Sequence, residues 1–195
     1  MHNRKILIIG EVYVDQHLDI IENGYSTSRL GGIFHAARSC DALNIEYALA
    51  YYAPDYLVKD VEKFGIDVLR ASSIFRLGKV DKAPNVMLIG QSDESGNQLY
   101  ENILGRQAEY VSMLPFMQVL DDFDPTDIII FPGRYGNAGI LSNLSNYEGK
   151  IHIDMNYDCD DILDLDTIKI QTVFLSTSST SFEAVSYTHL TLPTT

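Results

Sequence analysis

The spacing of apolar residues changes several times along the chain, and each change predicts a different element. Residues 5–10 form an almost continuous apolar run ended by glycine, which is typical of a strand buried on both faces of a parallel sheet. Apolar and polar residues then alternate over residues 12–20, which indicates a strand with one face toward a cleft or solvent. From Gly32 the spacing fits one apolar stripe of a helix, made by Ile33, Ala36, Ala37, Cys40 and Leu43.

The remaining segments continue this alternation of strands and helices and add one β-rich insert. Four further strands are predicted, at residues 46–53, 127–131, 151–154 and 172–175. Three further helices are predicted, at residues 54–64, 110–120 and 140–147. Two strand-like runs, residues 85–90 and 98–103, are joined by a polar, glycine-containing stretch that favours a hairpin. Strands that alternate with helices imply a mainly parallel sheet with ligands at the carboxyl ends of its strands.

The charge of the chain limits the partners that it can have. There are 27 acidic residues against 14 lysines and arginines, a formal charge of −13. A field of this sign repels phosphate backbones and anionic lipid, so we expect no nucleic acid, no membrane and a small-molecule ligand. No apolar run reaches the roughly 18 residues of a membrane span, and the first run is too short for a secretory signal. Cys40 and Cys159 lack metal-ligand spacing, which favours reduced thiols in a cytoplasmic protein.

The last residues differ in composition from everything before them. Residues 184–195 contain no Asp, Glu, Lys or Arg, and residues 185–195 resemble the translation of a sequencing adapter read through in frame. We therefore expect a non-native tail, and a natural sequence that is truncated on its C-terminal side at about Glu183. The alternative is a native edge strand, because Tyr187, Thr188 and Thr191 favour strands.

Two features close to the first predicted strand are candidates for ligand binding. Asp15 follows that strand, and a carboxylate can accept hydrogen bonds from two hydroxyls, each worth roughly 1.5–3 kcal/mol. Gly31 and Gly32 precede the first helix, where backbone can approach a ligand and helix amides can face it. The alternatives are a solvated strand residue and an ordinary helix-capping loop. No Gly-x-Gly-x-x-Gly and no Walker loop is present, which disfavours a nicotinamide-dependent enzyme.

Taken in order, three features resemble the ribokinase or PfkB carbohydrate kinase family. They are the strand ending at Gly10 with Asp15 beyond it, the helix start Gly31-Gly32-Ile33-Phe34-His35-Ala36-Ala37, and the strand–helix unit of residues 46–66. The resemblance covers residues 4–183. It implies an α/β, ribokinase-like fold in a partial kinase domain, residues 1–183, with a small β lid from about residues 12–20 and 72–105. Such enzymes transfer the γ-phosphoryl group of ATP to a sugar or nucleoside hydroxyl.

The resemblance also assigns residues to a site. Asp15, Gly31 and Gly32 would hold the acceptor, together with His35, which stands where the family usually has Asn and which makes fewer hydrogen bonds than a short amide. The alternative for His35 is a buried, satisfied histidine. Asp154 and Asn156 resemble the family's Asp-Pro-Asn stretch on the nucleotide side. The cofactors implied for the intact protein are ATP and Mg²⁺, with no metal ligand assigned here.

Two elements of the family pattern are absent from the sequence. The Gly-x-Gly-Asp element, which carries the family's catalytic aspartate, occurs nowhere in the 195 residues, and residues 175–183 give no clean Asn-x-x-Glu match. We therefore assign no catalytic residue, and expect the N-terminal, acceptor-binding portion of a sugar, polyol or nucleoside kinase that is inactive by itself. The rival hypothesis is a non-catalytic sugar- or nucleoside-binding module. In some relatives the lid pairs two subunits, which leaves a homodimer open.

Overall fold

The computed structural model describes residues 4–18, 27–92, 98–102, 108–131, 133, 140, 143–155 and 170–175. Their strands are β1 Lys5–Glu11, β2 Val14–His17, β3 Thr27–Leu30, β4 Glu46–Ala53, β5 Ser73–Asp81, β6 Val86–Ser92, β7 Gln98–Asn102, β8 Glu109–Ser112, β9 Asp127–Ile130, β10 Lys150–Met155 and β11 Ile170–Leu175. Their helices are α1 Phe34–Ala42, α2 Val58–Lys63 and α3 Phe116–Phe123. A 3₁₀ turn, Asp55–Leu57, leads into α2, and a π-helical turn, Phe64–Val68, follows it.

These strands form two sheets. The first has seven strands in the order β11-β10-β9-β1-β4-β5-β8, and every pairing in it is parallel except that of β8 with β5. The second has four strands in the order β3-β2-β6-β7, with β2 parallel to β6 and the other two pairings antiparallel. The predicted α/β fold, with a mainly parallel sheet flanked by helices, is confirmed.

The first sheet separates two apolar cores, because side chains alternate between the faces of its strands. Ile6 and Ile8 of β1 belong to the core that α1 and α2 cover. Leu7 and Ile9 belong to the core that α3 covers. Since β1 lies between β4 and β9, all four side chains are at most 8% exposed. Burial on both faces explains the unbroken apolar run in this part of the sequence.

Two predicted helices differ from the structure. The helix predicted over residues 110–120 is instead the edge strand β8 followed by α3. Pro115 separates them, because its backbone is extended, with ψ 131°, and proline has no amide to donate within a helix. The helix predicted to end before Gly65 continues to Val68 as the π-helical turn, and Arg70, with φ 53°, follows in the left-handed conformation.

The lid boundaries need one correction. The prediction assigns residues 72–105 to the lid, but β5 lies in the first sheet between β4 and β8. β5 belongs to the first sheet because it pairs with β4 and β8. The pattern of apolar residues in β5 itself does not reveal these partners. β2, β6 and β7 form the second sheet together with β3. Residues 184–195 lie outside the described residues, as do residues 141 and 142 of the helix predicted over 140–147. Residues 143–146 of that predicted helix form turns instead. No helix in the described ranges has the length and apolar character needed to cross a bilayer.

Candidate functional site

The two sheets meet at the carboxyl end of β1. Glu11 is the last residue of β1, and the amide of Val12 still donates to a carbonyl near the end of β4, over 3.0 Å. The amide of Val14 donates instead to the carbonyl of Asn85, over 2.8 Å, immediately before β6. The chain therefore passes from the first sheet to the second between Val12 and Val14, and Asp15 lies just inside the second sheet.

Asp15 is a buried carboxylate, 4% exposed, with neighbours from three segments. Its Oδ2 lies 3.0 Å from Nε2 of His35 in the first turn of α1, and 3.7 Å from Nε of Arg29 in β3. Gly31 packs on the same carboxyl group, because a Cβ at Gly31 would lie 2.1 Å from Oδ1 and 2.3 Å from Oδ2. The structure thus brings together three predicted residues, Asp15, Gly31 and His35.

Gly32, the fourth predicted residue, supports this arrangement from the backbone. Its φ of +61° is a left-handed conformation that glycine adopts without strain. A Cβ there would lie 2.1 Å from the carbonyl oxygen of Glu11. Four nearby amides already donate to backbone carbonyls, those of Gly31, Ile33, Phe34 and His35. These bonds fix the loop. The amides at the helix start therefore donate to the protein backbone, whereas the sequence predicts that they face a ligand.

Basic side chains surround Asp15. The side chains of Arg29 and His35 are each 50% exposed, so they contact the buried carboxylate and remain open to solvent. Arg38, one turn further along α1, donates from Nη2 to the carbonyl of Leu30 over 2.7 Å. Burial lowers the pKa of Arg38, the charge of Arg29 lowers it further, and the charge of Asp15 acts in the opposite direction. The three charged groups therefore lie close enough to interact.

A second buried carboxylate, Glu11, is absent from the sequence prediction. It is also 4% exposed, and it accepts hydrogen bonds from the hydroxyls of Tyr13, 2.8 Å, and Tyr110, 2.9 Å. Nδ2 of Asn85 donates to it over 3.2 Å. Because Tyr110 lies in β8 and Asn85 directly precedes β6, Glu11 links the two sheets. The available signal is a charged residue at the end of an apolar strand, since a buried charge needs partners.

The predicted nucleotide-side pair is described only in part. Asp154 lies in β10 at the carboxyl edge of the first sheet, two strands from β1. At about 4.8 Å per strand this is roughly 10 Å across the sheet. Burial raises the pKa of Asp154. Asn156 lies outside the described residues. Within the described ranges no group of three His, Cys, Asp or Glu side chains is arranged to hold a metal ion.

Comparison with known proteins identifies the fold. No family model and no curated protein matches the chain. The chain is similar to fructokinase from Xylella fastidiosa, with a TM-score of 0.57 and 12% identity, covering 80% of this chain and 51% of that one. It is also similar to ribokinase from Giardia lamblia, with a TM-score of 0.54 and 16% identity, covering 81% of this chain and 52% of that one.

A third solved structure of the same kind contains a nucleotide. It is an uncharacterized sugar kinase from Pyrococcus horikoshii in complex with ATP, with a TM-score of 0.50 and 14% identity, covering 82% of this chain and 56% of that one. The fold of the chain is therefore ribokinase-like. The chain spans about half the length of the sugar kinases it matches.

Proposed function

We propose that this chain is the acceptor-binding part of an ATP-dependent kinase that phosphorylates a hydroxyl of a sugar, or of a related polyol or nucleoside. One observation carries the proposal: the Asp15 carboxylate, Gly31 and His35 converge where the first parallel sheet ends and the second begins. Ligands of open α/β sheets bind at the carboxyl ends of the strands. The sugar kinases that share the fold support the same conclusion.

The three residues have complementary tasks in binding an acceptor. Asp15 accepts hydrogen bonds from two hydroxyls, because an ionised carboxylate has several acceptor positions. Gly31 lets the carboxyl group lie against the backbone, since any side chain there would occupy its place. His35 holds this carboxyl group through Nε2, and its ring is half exposed and so within reach of a ligand. Together they orient a polyhydroxylated acceptor without forming a covalent bond to it.

The chain by itself is proposed to bind the acceptor and not to phosphorylate it. ATP would supply the phosphoryl group, and Asp154 and Asn156 would lie on its side of the sheet edge. No residue here is assigned as general base, because the sequence contains no Gly-x-Gly-Asp element. A general base contributes about 10²–10⁴-fold and a preorganised oxyanion site about 10²–10³-fold, so turnover without them falls below detection.

For the intact protein we propose ATP and Mg²⁺ as cofactors, a cytoplasmic location and a homodimer formed through the second sheet. β3 and β7 are the outer strands of that sheet among the described residues, so each offers an edge to which another strand can pair.

A second candidate function is a non-catalytic module that binds a sugar or nucleoside. His35 favours it, because an imidazole already bonded to Asp15 offers an acceptor fewer hydrogen bonds than an amide would. The natural genomic sequence downstream of the codon for residue 183 separates the two functions. A Gly-x-Gly-Asp element there, with ATP-dependent phosphorylation by the full-length protein, supports the kinase. Sugar binding without any phosphorylation supports the module.

Acceptor binding is tested by calorimetric titration of the 195-residue chain with a panel of neutral compounds: D-ribose, D-fructose, D-glucitol and adenosine. We expect at least one to bind, and Asp15→Asn to weaken its binding at least tenfold, because hydrogen bonds to a charged group are worth roughly 1.5–3 kcal/mol. Asp67→Asn is the matched control, since Asp67 is exposed in the π-helical turn. Binding that Asp15→Asn leaves unchanged, or that Asp67→Asn weakens equally, would contradict the proposed site.

A further inference from the structure

Positive charge is concentrated around Asp15 in a chain that is otherwise strongly acidic. The sequence carries a formal charge of −13. Arg29 lies 3.7 Å and His35 3.0 Å from Oδ2 of Asp15, measured to Nε and Nε2, and Arg38 interacts electrostatically with both Arg29 and Asp15. One carboxylate is thus contacted by a guanidinium group and an imidazole, and a second guanidinium group interacts with it at longer range. Its single negative charge does not balance two permanent positive charges.

The donors of these groups are only partly used. Arg29 approaches Asp15 through Nε alone, at a distance longer than a hydrogen bond, and no other pairing of Arg29 occurs among the described residues. Its side chain is half exposed, so its terminal nitrogens are within reach of a ligand. Nη1 of Arg38 is buried and has no hydrogen-bond partner in the described part of the chain. The half-exposed guanidinium of Arg29 is therefore well suited to bind an anionic group through two parallel hydrogen bonds.

We propose that the acceptor is a polyol that carries an anionic group, a carboxylate or a phosphate, with its hydroxyls on Asp15 and its anionic group on Arg29. This inference rests on the proposed function and narrows its substrate class from neutral sugars to sugar acids and sugar phosphates. Arg29 and His35 contact the same carboxylate oxygen, Oδ2. An anion held by Arg29 therefore lies a few ångströms from hydroxyls held at Asp15, a separation that adjacent carbons of one small polyol can span.

The proposal is tested with three compounds of matched length: neutral D-glucitol, D-gluconate with a carboxylate, and D-glucitol 6-phosphate with a phosphate. Calorimetric titration of the 195-residue chain is expected to show about 1.5- to fivefold tighter binding of at least one anionic compound, the range for a half-exposed ion pair. Raising the salt concentration should reduce this preference, because exposed charges are screened. Whichever anion is preferred identifies the group as carboxylate or phosphate.

Variants of Arg29 test whether this residue causes the preference for anionic over neutral compounds. Arg29→Gln should bring the ratio of anionic to neutral affinity close to one, and Arg29→Lys, which keeps the charge but not the planar fork, should reduce it only in part. Arg70→Gln is the matched control, because its guanidinium pairs with Asp41 at the other end of α1, and it should leave the ratio as in the natural chain. Circular dichroism melting verifies that each variant is folded.

The outcomes separate this proposal from the proposed function. D-glucitol binding at least as tightly as both anionic compounds would overturn the proposal and leave acceptor binding intact. A preference for anions that survives Arg29→Gln unchanged would also overturn it. Failure of all three compounds, together with failure of the neutral panel, would overturn the proposal and the proposed function alike.

Discussion

Glu11 and Asp15 are two carboxylates on consecutive strands that are equally hidden from solvent but have different kinds of partner. Among the described residues, the groups that donate hydrogen bonds to Glu11 include the neutral side chains of Tyr13, Tyr110 and Asn85. Asp15 is contacted by half-exposed basic side chains, those of Arg29 and His35. Removing a buried partner leaves a charge unsatisfied, whereas a half-exposed partner can be replaced by water or ligand at low cost. Burial alone therefore does not distinguish a structural carboxylate from a binding one, but the exposure of its partners does.

Gly31 and Gly32 show the same contrast between a structural role and a binding role. Gly32 lies against the backbone carbonyl of Glu11, and Gly31 lies against the side chain of Asp15. A backbone carbonyl held in β1 cannot move without disturbing the first sheet. The side chain of Asp15 can turn away from Gly31, but it then loses the contacts through which it is proposed to bind a ligand. Adjacent glycines thus serve the fold on one side and the candidate site on the other.

The largest expected effect on stability tests the structural role of Gly32. Gly32→Ala should lower the free energy of unfolding by about 3 kcal/mol or more, because it combines left-handed strain of roughly 1–2 kcal/mol with overpacking of roughly 1–3 kcal/mol. Gly31→Ala lacks the left-handed term, so it should cost only about 1–3 kcal/mol while abolishing acceptor binding. Urea unfolding gives both values. Equal stability losses in the two variants would refute the proposed difference between the glycines.

An intermediate effect compares the carboxylates directly. Glu11→Gln should lower the free energy of unfolding by about 2 kcal/mol, because three hydrogen bonds to a buried charge are weakened and an amide group faces other donors. Asp15→Asn should cost about 1 kcal/mol or less, since its partners are half exposed. Urea denaturation midpoints at constant m-value provide the comparison. A larger loss for Asp15→Asn than for Glu11→Gln would mean that Asp15 is the structural member of the pair.

The smallest effect concerns a buried oxygen without a partner. Among the described residues the hydroxyl of Tyr51 has no hydrogen-bond partner, and burial raises its pKa to about 12. An unfolded tyrosine has a pKa of about 10, so the protonated hydroxyl stabilises the fold below that pH, and this contribution is lost as the pH rises from about 10 to 12. Tyr51→Phe should change stability at neutral pH by less than about 1 kcal/mol and reduce the alkaline loss.

Tyr47 supplies the control for this measurement. Burial likewise raises its pKa to about 12, but its hydroxyl donates to the carbonyl of Leu69. Tyr47→Phe should therefore cost about 1 kcal/mol at neutral pH, which Tyr51→Phe should not. Unfolding midpoints of both variants, followed from neutral pH to about pH 12, test the difference. A neutral-pH loss for Tyr51→Phe as large as that for Tyr47→Phe would show that the Tyr51 hydroxyl does have a partner.

The central strands could be predicted from sequence because burial on both faces leaves a local mark. β1 and β4 show it as runs of apolar residues, and β4 spans the predicted residues 46–53. The edge strand β8 shows no such mark, since of its four side chains only Tyr110 is even partly buried. An apolar spacing that suits a helix therefore prevails in the prediction, although Pro115 marks where the helix begins.

The candidate site could be predicted only where its residues share a local pattern. Asp15 follows the first strand, and Gly31, Gly32 and His35 belong to one helix start. Glu11 could not be grouped with its partners, because Asn85 and Tyr110 lie 74 and 99 positions away. Arg29 lies in β3, a short strand without a clear period, and its approach to Asp15 depends on how β3 pairs with β2. Long-range pairing, which no local pattern encodes, assembles both clusters.

The parallel pairing of β2 with β6 has a consequence for how the protein is made. Nδ2 of Asn85, directly before β6, donates to the carbonyl of Val12, two residues before β2, across 73 positions of the chain. A ribosome must therefore release β4, α2 and β5 before β2 can find its parallel neighbour, and closing so long a loop is slow. Until then the hairpin of β2 with β3 stands alone, and two-stranded hairpins are marginally stable in water. The segment carrying Asp15 can therefore become ordered only after β6 has been translated, although it is among the first parts of the chain to be translated.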